Sequence, residues 1–197
     1  MYKKNLTPMR LFQPTSCFIL ILILLTSFGT SHAEEKASIN IESAELILQD
    51  KTYFLNAQIH YRLSDEAIDA LHNGISLTFN VDLSITESRK WLWEKYHHQL
   101  SFPYQLKYHT LAKTYLISNS TNKTHHNFSS LSAALNALGT LNDIPVHALK
   151  TNHNLDISAS LNAYLDIEAL PLPMRPLAYI TSGWYLHSNT FQWPLAH

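Results

Sequence analysis

Cysteine is nearly absent: the one in the sequence, Cys17, lies in an apolar run near the N-terminus. If that run is removed, the chain can form no disulfide, no thiolate metal site and no cysteine nucleophile. Glycine is scarce as well, with Gly74, Gly139 and Gly183 the only ones beyond residue 33. That rules out a glycine-rich phosphate cradle and the Gly-x-Ser-x-Gly elbow of a serine hydrolase. Charged residues make up 15% of the chain, and the basic ones beyond residue 33 stand singly or in the pair Arg89-Lys90. Nucleic acid needs clustered cations to neutralise its phosphates, so it is not an expected partner.

The first residues carry an address. Lys3, Lys4 and Arg10 precede the apolar run Cys17 to Leu25, and Ser31-His32-Ala33 follows. A basic entry, a short apolar core and small residues at the first and third positions before a cut form a secretory signal peptide. Thr26, Ser27, Thr30 and Ser31 interrupt the run before it reaches spanning length. Residues 1–33 are therefore expected to be removed, leaving 34–197 as a single periplasmic domain. Its contact with the membrane is confined to the signal segment before cleavage.

Period-two patterning dominates the rest. Tyr53, Leu55, Ala57, Ile59, Tyr61 and Leu63 alternate with polar residues, and Phe54 is the misfit. Ile75 through Ile85 and Leu155 through Ile167 alternate without interruption. Alternation of this length buries one face only as extended chain. Further strands are expected at Ile39–Leu48, Tyr104–His109, Thr114–Ser118 and Trp184–Trp193. The first has a bulge where the apolar parity changes between Ile41 and Ala44. Ser88–His98 reads as a strand continuing past a bulge, with a short helix as the alternative.

Two helices interrupt this pattern. Ser64 caps one, with acids in its first turn, a staple from Leu63 to Ile68, and a stop at Asn73-Gly74. Ser130–Leu138 forms the other, with Gly139 as its stop. Asn119–His126 reads as a polar loop, and Leu170–Pro176 reads as polyproline II, a rigid crossing or a partner-binding ridge. The expected fold is mainly β, an antiparallel β-sandwich of seven or eight strands with two short helices, and an open β-barrel is the alternative.

Several of these segments together resemble a family. They are Tyr61-Arg62-Leu63-Ser64, Asn73-Gly74-Ile75, Arg89-Lys90-Trp91-Leu92-Trp93, Tyr104 to His109, Ser130 to Gly139, and Leu165 to Pro176. The chain is similar to the proteobacterial exported domain-of-unknown-function family 4390, whose members are labelled proline-rich signal peptide proteins. The resemblance implies an exported location and a gene beside a membrane sensor kinase of the nitrogen-regulation type. It implies no chemistry.

The 12 histidines include the adjacent pairs His97-His98 and His125-His126, but none has the i, i+2 or i, i+4 spacing that announces a metal site. Asp82, Asp156 and Asp166 fall on polar strand faces. No catalytic residue, metal site or cofactor is therefore assigned, and the chain is not expected to be an enzyme. The candidate interaction residues are Arg62, Arg89 and Arg175, whose planar forks suit carboxylates, together with Trp91, Trp93 and Pro173. The functional expectation is a periplasmic interaction module accessory to a membrane sensor kinase or another envelope protein. The alternatives are a small-ligand carrier with an apolar cavity and an uncharacterised hydrolase.

Expressed with its own N-terminus in a Gram-negative host, the protein is expected in the periplasmic fraction with a mass that begins at Glu34. Recovery of the intact chain in the cytoplasm would contradict the signal reading.

Overall fold

The computed structural model describes residues 36–50, 52–89, 92–119, 124–146 and 156–195. The expected signal segment, Cys17 and Trp91 lie outside these residues. Among the described residues, nine strands form two antiparallel sheets. β1 (Ser38–Gln49), β2 (Thr52–Arg62) and β7 (Thr140–Val146) make a three-stranded sheet in the order β1-β2-β7. β3 (Leu77–Arg89), β4 (Leu92–His109), β5 (Thr114–Asn119), β6 (His125–Phe128), β8 (Asp156–Leu165) and β9 (Phe191–Pro194) make a six-stranded sheet in the order β6-β5-β4-β3-β8-β9. β1 packs against β8 and β9. The arrangement is a β-sandwich, and the two separate sheets exclude the barrel alternative.

The three long alternating runs become β2, β3 and β8, and their apolar flanks form the core. Leu77, Phe79, Val81 and Leu83 of β3 and Leu161 of β8 are fully sealed from water. The parity change in β1 is a bulge, because the register with β2 slips between Ile41 and Ser43. The slip moves burial from Ile39 and Ile41 to Ala44 and Leu46. β3 does not continue past Arg89. Arg89 pairs with Leu92 and the chain returns antiparallel as β4, so the expected bulged continuation is a hairpin.

Both expected helices form. α1 (Asp65–His72) is capped by the Ser64 hydroxyl, which accepts from the Ala67 N–H at 3.2 Å. It ends in a Schellman motif: Gly74 N–H reaches Leu71 O, Ile75 N–H reaches Ala70 O, and Gly74 takes φ +86°. His72 then anchors α1 to the large sheet. Its Nε2 lies 2.8 Å from the Tyr115 hydroxyl, and its ring packs edge-on to Tyr108 at 4.9 Å.

α2 (Leu131–Gly139) is capped by Ser130 and bridges the two sheets, packing on β2, β5, β6 and β7. Gly139 is not its stop. It is the last helical residue, with β7 starting at Thr140, and a Cβ there would lie within the Ile59 carbonyl. Glycine is required for close approach of α2 to β2, a demand that only the packed structure makes.

Four local expectations are corrected. Part of the Asn119–His126 loop is strand β6, since His125–Phe128 pairs with Tyr115–Ser118. β7 has no counterpart among the expected strands. Its apolar residues Leu141, Ile144 and Val146 break alternation because Asn142 and Asp143 bulge opposite Asn56. Most of Leu170–Pro176 is not polyproline II, because residues 172–174 form a turn closed by Met174 N–H to Pro171 O and Arg175–Ile180 forms a third helix, α3. Pro176 sits in its first turn, where a missing N–H costs nothing. The expected strand Trp184–Trp193 is only β9, preceded by a 3-10 turn (Ser182–Trp184) and an isolated bridge at His187.

Gly139→Ala must push α2 off β2, so it is expected to cost about 2–3 kcal/mol in urea unfolding, at the upper end of overpacking changes. Ala at exposed Asn136, one turn earlier, is the control and should change stability little.

Candidate functional site

The segment from Asp166 to Ser188 departs from β architecture and is built by its own hydrogen bonds. Asp166 caps a 3-10 turn (Ile167–Ala169). Its Oδ1 accepts from Glu168 N and Ala169 N, and its Oδ2 accepts from Asn80 Nδ2 at 3.2 Å. Leu170 is sunk into the core and Arg175 closes the loop over it. Arg175 Nε donates to Leu170 O at 2.9 Å, and its Nη1 meets Glu168 Oε2 at 3.0 Å. The Tyr179 hydroxyl donates to the other Glu168 oxygen. That bond to a carboxylate raises the Tyr179 pKa, since ionisation would set two anions side by side.

Downstream, Trp184 is buried and the Ser182–Trp184 turn lies against α1. A Cβ on Gly183 would come 2.5 Å from Glu66 Oε2, so the turn sits close over the start of α1 and a larger residue there would have to displace the Glu66 side chain. Ser188 then completes the β8 edge. Its N–H donates to Ala163 O, and its hydroxyl accepts from Ala163 N at 2.9 Å.

With its charged pair bonded within the segment, the segment shows apolar side chains to solvent. Leu172, Leu177, Tyr179, Ile180 and Tyr185 are all exposed, Ile180 by 82%. The other exposed large apolar residues among those described are Ile47, Leu48 and Leu111, on β1 and at the β4–β5 turn. A cluster of this kind on one short stretch marks an interaction surface more often than chance exposure does. A concavity of about 290 Å³ opens beside it, between β8 and the stretch from Trp184 to Ser188.

The six-stranded sheet's outer face is polar. Thr86 Oγ1 and Ser158 Oγ are 2.8 Å apart, and Asn80 reaches both Tyr164 and Asp166. Burial and the neighbouring carboxylates Asp82 and Asp166 raise the Tyr164 pKa, partly offset by the Asn80 hydrogen bond. A second concavity, about 350 Å³, lies on the opposite side of the sandwich between β7 and the β5–β6 edge.

The expected interaction residues divide between two ends. Pro173 is exposed in the turn before α3, and Arg175 begins α3 with its guanidinium engaged within the segment. Arg62 ends β2, two residues before the Ser64 cap of α1, and so lies at the same end. Arg89 ends β3, twelve residues and roughly 40 Å along the strand from Leu77. Trp93, in β4, accompanies Arg89. No single surface gathers all three arginines. Sequence reasoning missed the exposed apolar residues of α3, because prolines in Leu170–Pro176 masked a helix start that Pro176 itself could have signalled.

The histidines are dispersed. His60 pairs with Glu42 at 3.0 Å, His187 meets Tyr185 edge-on at 5.0 Å, and His125 and His126 sit on β6. Among the described residues, no three His, Cys, Asp or Glu side chains converge as a metal site. No helix among them is long and apolar enough to cross a membrane.

One family model matches residues 36–194, the domain of unknown function DUF4390. The chain belongs to this family. Neither the curated proteins nor the solved structures gave a match. The DUF4390 domain therefore spans both sheets and the whole C-terminal segment.

If Arg175 holds the segment closed, Arg175→Ala should speed amide exchange of Ala178 and Thr181 several-fold. Global stability should change by less than about 1 kcal/mol, as befits a part-exposed ion pair.

Proposed function

We propose that this DUF4390 protein is an exported, non-enzymatic interaction module of the periplasm, accessory to a membrane sensor kinase. The supporting observation is the exposed cluster Leu172, Leu177, Tyr179, Ile180 and Tyr185 on a segment whose charged pair, Arg175 and Glu168, is satisfied internally. Such a surface gains affinity by removing apolar area from water, at about 25 cal/mol per Å², and presents no charge that a partner must neutralise. Its aromatic and branched side chains are the types that anchor interface cores. The sensor kinase comes from the gene neighbourhood that family resemblance implies, and the periplasm from the N-terminal address.

The test is crosslinking in intact cells followed by capture of the processed protein. The sensor kinase should be recovered with the wild type. The double variant Leu177→Asp, Ile180→Asp should lower recovery at least about tenfold while leaving the fold intact, since both side chains are exposed. Equal recovery with the variant, or capture without the kinase, would contradict the proposal.

A further inference from the structure

The cleft between β7 and the β5–β6 edge lies across the sandwich from the C-terminal segment, and nothing in the proposed function uses it. It exists because the two sheets do not meet on this side. The opening is roofed by α2, which touches β2, β5, β6 and β7. The bulge in β7 shapes its wall. Asp143 takes φ +52° and donates its N–H to Asn56 Oδ1 at 2.8 Å, which turns Leu141 and Ile144 inward together and leaves Asn142 at the rim. Bulges of this kind re-aim side chains beside binding sites.

Tyr104, Ile117 and Leu141, all nearly fully buried, form the floor, and Phe128 and Ile144 form the walls. The rim is polar, with His126, Thr140 and Asn142. Among the described residues, no Asp, Glu, Lys or Arg occurs in the lining. At the floor, the Tyr104 hydroxyl is buried with no acceptor for its proton, and the Asn119 side chain beside it partly offsets the effect of burial on its pKa. Behind it the Tyr61 hydroxyl, deeper still, is also unpartnered. Burial pushes both tyrosine pKa values up, so both hydroxyls remain protonated donors at any physiological pH. A buried donor without an acceptor costs roughly 1–3 kcal/mol, a debt that an incoming acceptor can cancel.

We propose that this cleft binds a small uncharged molecule with an apolar body and one hydrogen-bond acceptor, seated on the Tyr104 hydroxyl. The volume of about 350 Å³ is at the lower end for ligand sites, so it suits a compact molecule. Apolar floor and walls take the body. The described lining holds no charged group to replace the lost hydration of an ion, so a neutral ligand is favoured. The Tyr104 hydroxyl has no surface open to the cleft, so an acceptor can reach it only if Tyr104 shifts relative to Asn119.

Amide spectra of the processed protein titrated with three probes of similar size test this. The probes are acetophenone, which carries a carbonyl acceptor, ethylbenzene, which has none, and benzoate, which is charged. Acetophenone should give saturable shifts at Ile117, Asn119, Leu141 and Asn142. Benzoate should bind at least tenfold more weakly. Tyr104→Phe should weaken acetophenone about three- to tenfold, the worth of one neutral hydrogen bond, and leave ethylbenzene unchanged. Ala137→Phe, at an exposed helix position on the mouth, should reduce binding of both neutral probes if Tyr104→Phe disturbs folding. Shifts confined to other surfaces, equal binding of benzoate, or acetophenone affinity unmoved by Tyr104→Phe in a folded protein would overturn the proposal. The C-terminal double variant Leu177→Asp, Ile180→Asp should bind the probes normally, so failure here and failure of the partner reading are separable.

Discussion

The water-free inner face of β3 and β8 is the constraint from which the rest of the molecule follows. These strands pair from Phe79 opposite Leu165 to Ser88 opposite Asp156, and Phe79, Val81, Leu83 and Leu161 have no solvent exposure. A sheet this sealed on one side must be covered, and the three-stranded sheet β1-β2-β7 is the cover. The chain crosses from cover to sheet through α1 and back through α2, so both helices stand where connections leave the layers. Tight seating of α2 on β2 then demands glycine at position 139.

The outer face of the same strands shows how the fold disposes of its polarity. Thr86, Ser158 and Gln192 hydrogen-bond across neighbouring strands, and Asn80 holds Tyr164 and Asp166. These groups satisfy one another, although Asp82 Oδ1 on the same face is buried without a partner. Further unmet demand takes two forms. The C-terminal segment has bonded its charged pair within itself and shows apolar side chains to water. The cleft beside β7 hides tyrosine hydroxyls that have no acceptor. Both lie where the sandwich is interrupted, one at a loop-rich end and the other along an open side, where packing constraints are weakest.

Much of the architecture was legible because strand burial has a period of two. β2, β3 and β8 announce themselves by six or more alternations, and the β1 bulge announces itself by a change of parity. The caps of α1 were readable for a similar reason, since Ser64 and Asn73-Gly74 act within one turn of the helix they end. Illegible elements were those whose residues serve distant partners. β7 lost its alternation to a bulge set by Asn56. β6 is four residues with one half-buried side chain and is a strand only because β5 offers an edge. α3 was hidden by flanking prolines that read as extended chain.

The candidate site shows the same division. Chemical type was apparent in sequence: three arginines, a proline-rich stretch, aromatic residues and few charges. Grouping was not. The pairing of Arg175 with Glu168 was within reach of the sequence, but its bond to the Leu170 carbonyl was not, and Arg89 was separated from it by the length of β3. By itself, the sequence determined the local outcomes, namely which stretches are extended, which flank of each is buried, and where α1 begins and ends. Those depend on neighbours two to four residues away along the chain. The tertiary structure alone decided which polar groups are spent internally, where the sheets leave a gap, and which apolar side chains remain in water. Each of those is settled by residues tens of positions apart, brought together only when the core closes.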